Sequence, residues 1–179
     1  MSEANLSSRV SVLGLGNVFL GDDGFGPFIV ESFRDRYICS PEIEIIDLGT
    51  PGLDLTPYLY DKDFVIIVDA VQAQGEPGTV RTYRESEFLG GTARLRLTDH
   101  DIGFEESLAK LRLVDGAPGE LIILGVIPRS CNFGDGISSA VLSAASSAID
   151  DIVRLLFYRG IRCQKRPAPF QSQPWWSDA

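Results

Sequence analysis

Three polar residues of this chain fall at strand ends or in loops on the same ridge of the expected sheet: Asp23, which adjoins Asp22, then Asp69, and His100, the only histidine. Two carboxylates and an imidazole suit a borderline divalent metal such as nickel, zinc, manganese or iron, with coordination positions left for water or substrate. Neighbouring carboxylates in a turn repel, so a cation or proton beside Asp22 and Asp23 would relieve a cost. Asp99 and Asp101 flank His100 and raise its affinity for protons and cations alike. Each residue also has a plainer reading. Asp22 and Asp23 suit a helix N-terminus, where one of them could serve only as a cap; Asp69 suits a cap at a strand-to-helix junction; His100 suits a hydrogen-bonded loop.

The elements that must position these residues follow from the apolar pattern. Arg9 to Leu15 reads as a strand that ends in the turn Gly14-Leu15-Gly16-Asn17 and delivers the two aspartates to one spot. Phe28, Ile29, Phe33 and Tyr37 then recur at helical spacing, with Pro27 in the first turn and a break at Ser40-Pro41. Glu42 to Leu48 is a second strand, followed by a turn over Gly49 to Gly52 and a short helix over Leu53 to Tyr60. Asp63 to Ala70 is a third strand, apolar on both faces as central parallel strands are, with Asp69 at its carboxyl end. Gly78 to Arg84 alternates as an edge strand does, and Arg84 to Thr98 has no clear pattern. Asp99 is placed to cap a helix over Ile102 to Arg112. Glu120 to Ile127 is another apolar strand, and Ser138 to Tyr158 an amphipathic helix.

Strands alternating with helices predict an α/β single domain: a three-layer sandwich whose mostly parallel, twisted sheet carries helices on both faces, joined by right-handed crossovers. Ligands on such sheets gather at the carboxyl ends of the strands. The domain is expected over residues 1–165, and residues 166–179, rich in Pro, Gln, Ser and Trp, as a tail that is loose or docks by Trp175 and Trp176.

Composition narrows the function classes. A net charge of −9, with no basic cluster beyond Arg162 to Arg166, disfavours nucleic acid as a partner. No apolar run approaches the roughly 20 residues of a membrane span, and Met1 to Ser8 lacks a signal-peptide core. A cytoplasmic location without membrane insertion is therefore expected. Cys39, Cys131 and Cys163 are odd in number and far apart, and read as reduced, structural thiols. The motifs of zincins, serine-elbow hydrolases, P-loop NTPases and dithiol oxidoreductases are missing. The Gly14-Leu15-Gly16 turn opens like a dinucleotide fingerprint, but Phe19 stands where the third glycine belongs, so a nicotinamide or flavin oxidoreductase is a lesser alternative.

Taken together, GLGNVFLGDDGFG, the strand end IIVDA, TDHDIG around His100 and LGVIP at Leu124 to Pro128 resemble the hydrogenase maturation proteases, over Val10 to Tyr158. The resemblance implies an endopeptidase that removes a C-terminal peptide from the nickel-iron hydrogenase large-subunit precursor after nickel insertion. It implies that Asp23, Asp69 and His100 are at once metal ligands and catalytic residues. Many members have glutamate where Asp23 stands. The implied metal is the precursor's own nickel, used for recognition, although other divalent ions suit the same ligands. The alternative within this fold is a nickel-binding or chaperone module that cuts nothing.

Overall fold

Three apolar segments build the centre of the sheet in the computed structural model, which describes residues 9–50, 54–89, 96–97 and 101–167. They are β1 (Val10–Leu15), β4 (Phe64–Gln72) and β7 (Glu120–Val126). β3 (Glu44–Gly49) and β5 (Val80–Arg84) flank them, giving the order β3-β1-β4-β7-β5, and β6 (Arg96–Leu97) pairs with the end of β4. The pairings of β1 with β3, β1 with β4 and β4 with β7 are parallel; those of β5 with β7 and β6 with β4 are antiparallel.

Side chains alternate across a strand, so an uninterrupted apolar run supplies both faces at once. Val12, Ile66, Val68 and Leu124 pack beneath α1 (Phe25–Arg36) and α5 (Ser139–Phe157), against Phe25, Ile29, Phe33, Val141 and Ile152. Leu13, Val65, Ile67 and Ile123 face the other way, onto Leu55 and Leu59 of α2 (Thr56–Leu59) with its lead-in, and onto Phe104, Leu108 and Leu111 of α4 (Asp101–Leu113). Each such buried side chain contributes about 1.5–3 kcal/mol to folding. The three-layer α/β expectation therefore holds.

The strand order contains the feature that matters for function. β1 is followed by α1 on one face and then by β3; β3 is followed by α2 on the other face and then by β4, on the opposite side of β1. The crevice at the carboxyl ends of β1 and β4 is thus a topological switch point, the place where ligands bind in open α/β sheets.

Two expectations are corrected. The helix ends and the chain breaks at Ser40-Pro41 as expected, but the residues between form an unforeseen strand, β2 (Tyr37–Ser40), which pairs antiparallel with β8 (Arg162–Lys165) beyond α5. In that ribbon Cys39 lies opposite Cys163, with Cα atoms 4.0 Å apart, and the two form a disulfide. They are not the reduced thiols expected, because the register that brings them together is tertiary and 124 positions of separation conceal it. A two-stranded ribbon alone is marginal in water, and the cross-link removes the alternative of fraying. α3 (Glu85–Leu89) occupies the start of the segment that had no pattern. Of the expected tail, residues 168–179 lie outside the described residues, and Arg166 is tied back by its N–H to the carbonyl of Arg36 at 2.8 Å. Among the described residues no helix is long and apolar enough to cross a membrane.

Candidate active site at the β1–β4 crevice

The chain leaves β1 through Gly16, whose φ of +131° is open to glycine and strained for other residues. The Gly16 N–H donates to the carbonyl of Gly49, closing the ends of β1 and β3 together at 2.9 Å. Asn17 then closes the turn: its carbonyl accepts from Leu20, and its side-chain Oδ1 from the N–H of Phe19. A single 3-10 turn, Gly21–Gly24, carries both aspartates and leads directly into α1. The first turn of α1 sits hard against the sheet at Gly26, where a Cβ would lie 2.1 Å from the carbonyl oxygen of Leu15 and 2.3 Å from that of Val68. Glycine at 26 is what lets the helix, and with it the acidic turn, rest in the notch between β1 and β4.

Neither aspartate caps α1 with its side chain. Asp22, 1 % exposed, points toward the loop between β7 and α5. Its Oδ2 accepts from the N–H groups of Arg129 (2.7 Å) and Ser130 (3.4 Å) and from the hydroxyl of Ser138 (3.0 Å), and its Oδ1 from the N–H of Ser138 (2.6 Å). Backbone bonds from Asp22 to Ser130, from Gly21 to Asp135 and from Gly134 to Phe19 run alongside. Asp23, 3 % exposed, turns the other way, and its Oδ2 accepts the N–H of Asn17 at 2.7 Å.

Asp69 is fully buried, and its Oδ1 accepts the N–H of Ala70 at 2.7 Å. It does not end its strand as expected: β4 runs on to Gln72, because β7 pairs through Ala70 and β6 pairs with Val71 and Gln72. The pairing with β1, however, stops at Val68. Asp69 is therefore the first β4 residue beyond its β1 neighbour, at the rim of the crevice, and alternation assigns it to the face on which α4 packs. The strand-to-helix cap is ruled out for it. His100, immediately ahead of α4, lies outside the described residues, as does Asp99. Among the described residues no three His, Cys, Asp or Glu side chains are grouped to hold a metal.

Cys131 belongs to the site, which its sequence neighbours did not reveal. Burial pushes its thiol up to about 11, helped by the charges of Asp23, then Asp22 and Asp69, while a hydrogen bond with the Asp23 backbone opposes the shift. All three carboxylates thus act on one sulfur, which stays protonated at neutral pH. Only the long-range packing of the 129–138 loop on the acidic turn shows this. Beside the turn a groove of 390 Å³ is lined by Gly16, Asn17, Val18, Phe19, Pro27, Asp47, Leu48, Gly49 and Thr50. Buried carboxylates of this kind bind a divalent ion or hold and move a proton, and a groove lined by both polar and apolar residues suits a peptide.

The chain and its fold are shared with known peptidases. The hydrogenase maturation protease family model matches residues 27–155, spanning Asp69 and His100 and beginning just after Asp23. The hydrogenase 2 maturation protease of Escherichia coli is 32 % identical over 161 residues, 89 % of this chain and 98 % of that protein. The hydrogenase expression/formation protein HupD of Bradyrhizobium diazoefficiens is 31 % identical over 170 residues, 94 % of this chain and 88 % of that protein. The solved structure of the hydrogenase maturating endopeptidase HybD from Escherichia coli superposes with a TM-score of 0.80 at 32 % identity, covering 88 % of this chain and 98 % of that one. The chain belongs to the hydrogenase maturation protease family and is a peptidase.

Proposed function

We propose that this protein removes the C-terminal peptide of a nickel-iron hydrogenase large-subunit precursor once nickel has been inserted, and that Asp23, Asp69 and His100 read the nickel carried by that substrate. The observation that carries the reading is the burial of Asp23 and Asp69 at the carboxyl rim of neighbouring strands, at the switch point of a maturation-protease sheet. Carboxylate and imidazole are suitable donors for nickel, and nickel held by the substrate leaves positions for ligands from a second protein. An empty precursor offers these residues nothing to bind, so cleavage waits for metal loading.

In this scheme the three side chains anchor the precursor, and the groove past Asn17 and Phe19 holds the peptide flanking the scissile bond. Substrate nickel polarises the scissile carbonyl. Asp23 or Asp69 takes a proton from the attacking water and returns it to the leaving amine, and the new carboxylic acid gives up the second proton to that amine, so one water is consumed and one peptide bond becomes a carboxylate and an ammonium group.

The test is the intact mass of the precursor from the same organism, with and without nickel, before and after incubation with this protein. Loss of a C-terminal peptide only from the nickel-loaded form is expected. Binding without any loss of mass would instead identify a nickel-binding module of the same fold.

A further inference from the structure

We propose that Asp22 is a positioning residue of the site: its carboxylate fastens the 129–138 loop to the acidic turn and thereby holds Cys131 against the Asp23 backbone and Asp23 in its working orientation. The proposal rests on the functional reading above and adds a residue to it. Asp22 is buried, next to Asp23 in the same 3-10 turn, yet all its side-chain bonds described here go to residues more than 100 positions away. Four donors converge on it, three backbone N–H groups and one hydroxyl, so every one of its bonds needs an acceptor.

An amide in place of this carboxylate keeps the shape and fails the chemistry. One oxygen of Asn can face either the Oδ1 donor or the Oδ2 donors, and the NH₂ group then meets N–H groups that it cannot accept from. Ser138 is the second half of the fastening: it donates twice to Asp22 while its Oγ accepts from the N–H of Val141 as the N-cap of α5. The loop is thereby pinned at the start of a 19-residue helix as well as at the acidic turn. Within the loop the Ser130 hydroxyl donates to Asp135 at 2.9 Å and accepts from the N–H of Asn132, and the N–H of Asp135 donates to the carbonyl of Asn132, so the loop is braced as a unit to be fastened or released.

Cys131 reports directly on this fastening, since Cys39 and Cys163 are bonded to each other. The full-length oxidised protein is compared as wild type, Asp22→Asn, Ser138→Ala and Ser138→Thr, with iodoacetamide alkylation of Cys131 followed by mass spectrometry and processing kinetics measured on nickel-loaded precursor. For Ser138→Ala, which leaves every charge around the thiol in place, alkylation is expected to accelerate about fivefold, and Ser138→Thr to restore the wild-type rate. For Asp22→Asn, kcat is expected to fall about tenfold or more with KM for the precursor nearly unchanged, because the orientation of reacting groups is lost while docking is not. Wild-type alkylation in Ser138→Ala, or wild-type kcat in a folded Asp22→Asn, overturns the proposal. If Asp22→Asn does not fold, the Ser138 pair decides alone. If wild type leaves the precursor uncut, the functional reading fails, and the alkylation rates still decide whether Asp22 and Ser138 hold Cys131 in place.

Discussion

Gly16 and Asp23 are in direct backbone apposition: a Cβ on Gly16 would lie 1.8 Å from the Asp23 carbonyl oxygen. The acidic turn is folded across the end of β1 with no room for a side chain beneath it, and Gly16 also has a left-handed φ. Gly16→Ala is therefore expected to cost at least about 3 kcal/mol and to displace Asp23 from the crevice. Urea denaturation measures the first effect and precursor processing the second; a variant with the wild-type midpoint would show that the turn has another way to fold.

The ligand set is tested residue by residue. Asp23→Ala, Asp69→Asn and His100→Ala are each expected to abolish processing of nickel-loaded precursor, whereas Asp23→Glu retains measurable cleavage because the charge and donor type persist on a longer arm. Precursor mass together with circular dichroism separates lost chemistry from lost fold. Normal cleavage by His100→Ala would remove His100 from the site.

Glu31 sets a pH dependence of stability. Burial raises the pKa of its carboxyl above 4.5, with Arg34 beside it opposing and Asp47 and Asp35 adding to the rise. Between the unfolded value and the raised folded one, the native state binds more protons than the unfolded state, so stability falls as pH rises through that window. Glu31→Gln removes this slope. Its stability relative to wild type is expected to improve from about pH 4 to about pH 7, as read from urea midpoints at the two pH values; a difference independent of pH would mean that the Arg34 pair fully compensates the burial.

The disulfide is expected to stabilise the folded chain by about 2–4 kcal/mol. Cys39→Ser with Cys163→Ser, or wild type under a dithiol reductant, should lose that amount in chemical denaturation. Processing should be unaffected, since the ribbon follows the far end of α1 from the acidic turn.

Much of this architecture was legible because periodicity is a local signal. The runs Val65 to Val68 and Leu121 to Leu124 announce two-sided burial without reference to any other part of the chain, and Ser138 announces the start of α5. The ribbon of β2 and β8 was not legible: four residues on each side carry no period, and only pairing gives them a structure. The same holds within the site. Asp22 and Asp23 look interchangeable by residue type and setting, and apart from the family resemblance, which singles out Asp23, only their partners separate them, Asp22 bound across the fold to Arg129, Ser130 and Ser138, Asp23 to nearby Asn17. Asp69 was expected at the end of its own strand, yet β4 runs on to Gln72; what sets Asp69 at the crevice is the earlier end of the β1 pairing, which no local pattern announces.

The Cys39–Cys163 bond also divides the molecule topologically. Residues 39–163 form one covalent ring, and everything before β2 is an arm outside it. The arm's strand, β1, is inserted between β3 and β4, both of which belong to the ring. A single backbone cut anywhere within the ring would open it without releasing a fragment, leaving one molecule on a non-reducing gel and two after reduction. The arm that carries Asp22 and Asp23 has no such protection, and one cut between Gly24 and Cys39 would leave only packing and hydrogen bonds to hold the acidic turn to the rest of its site.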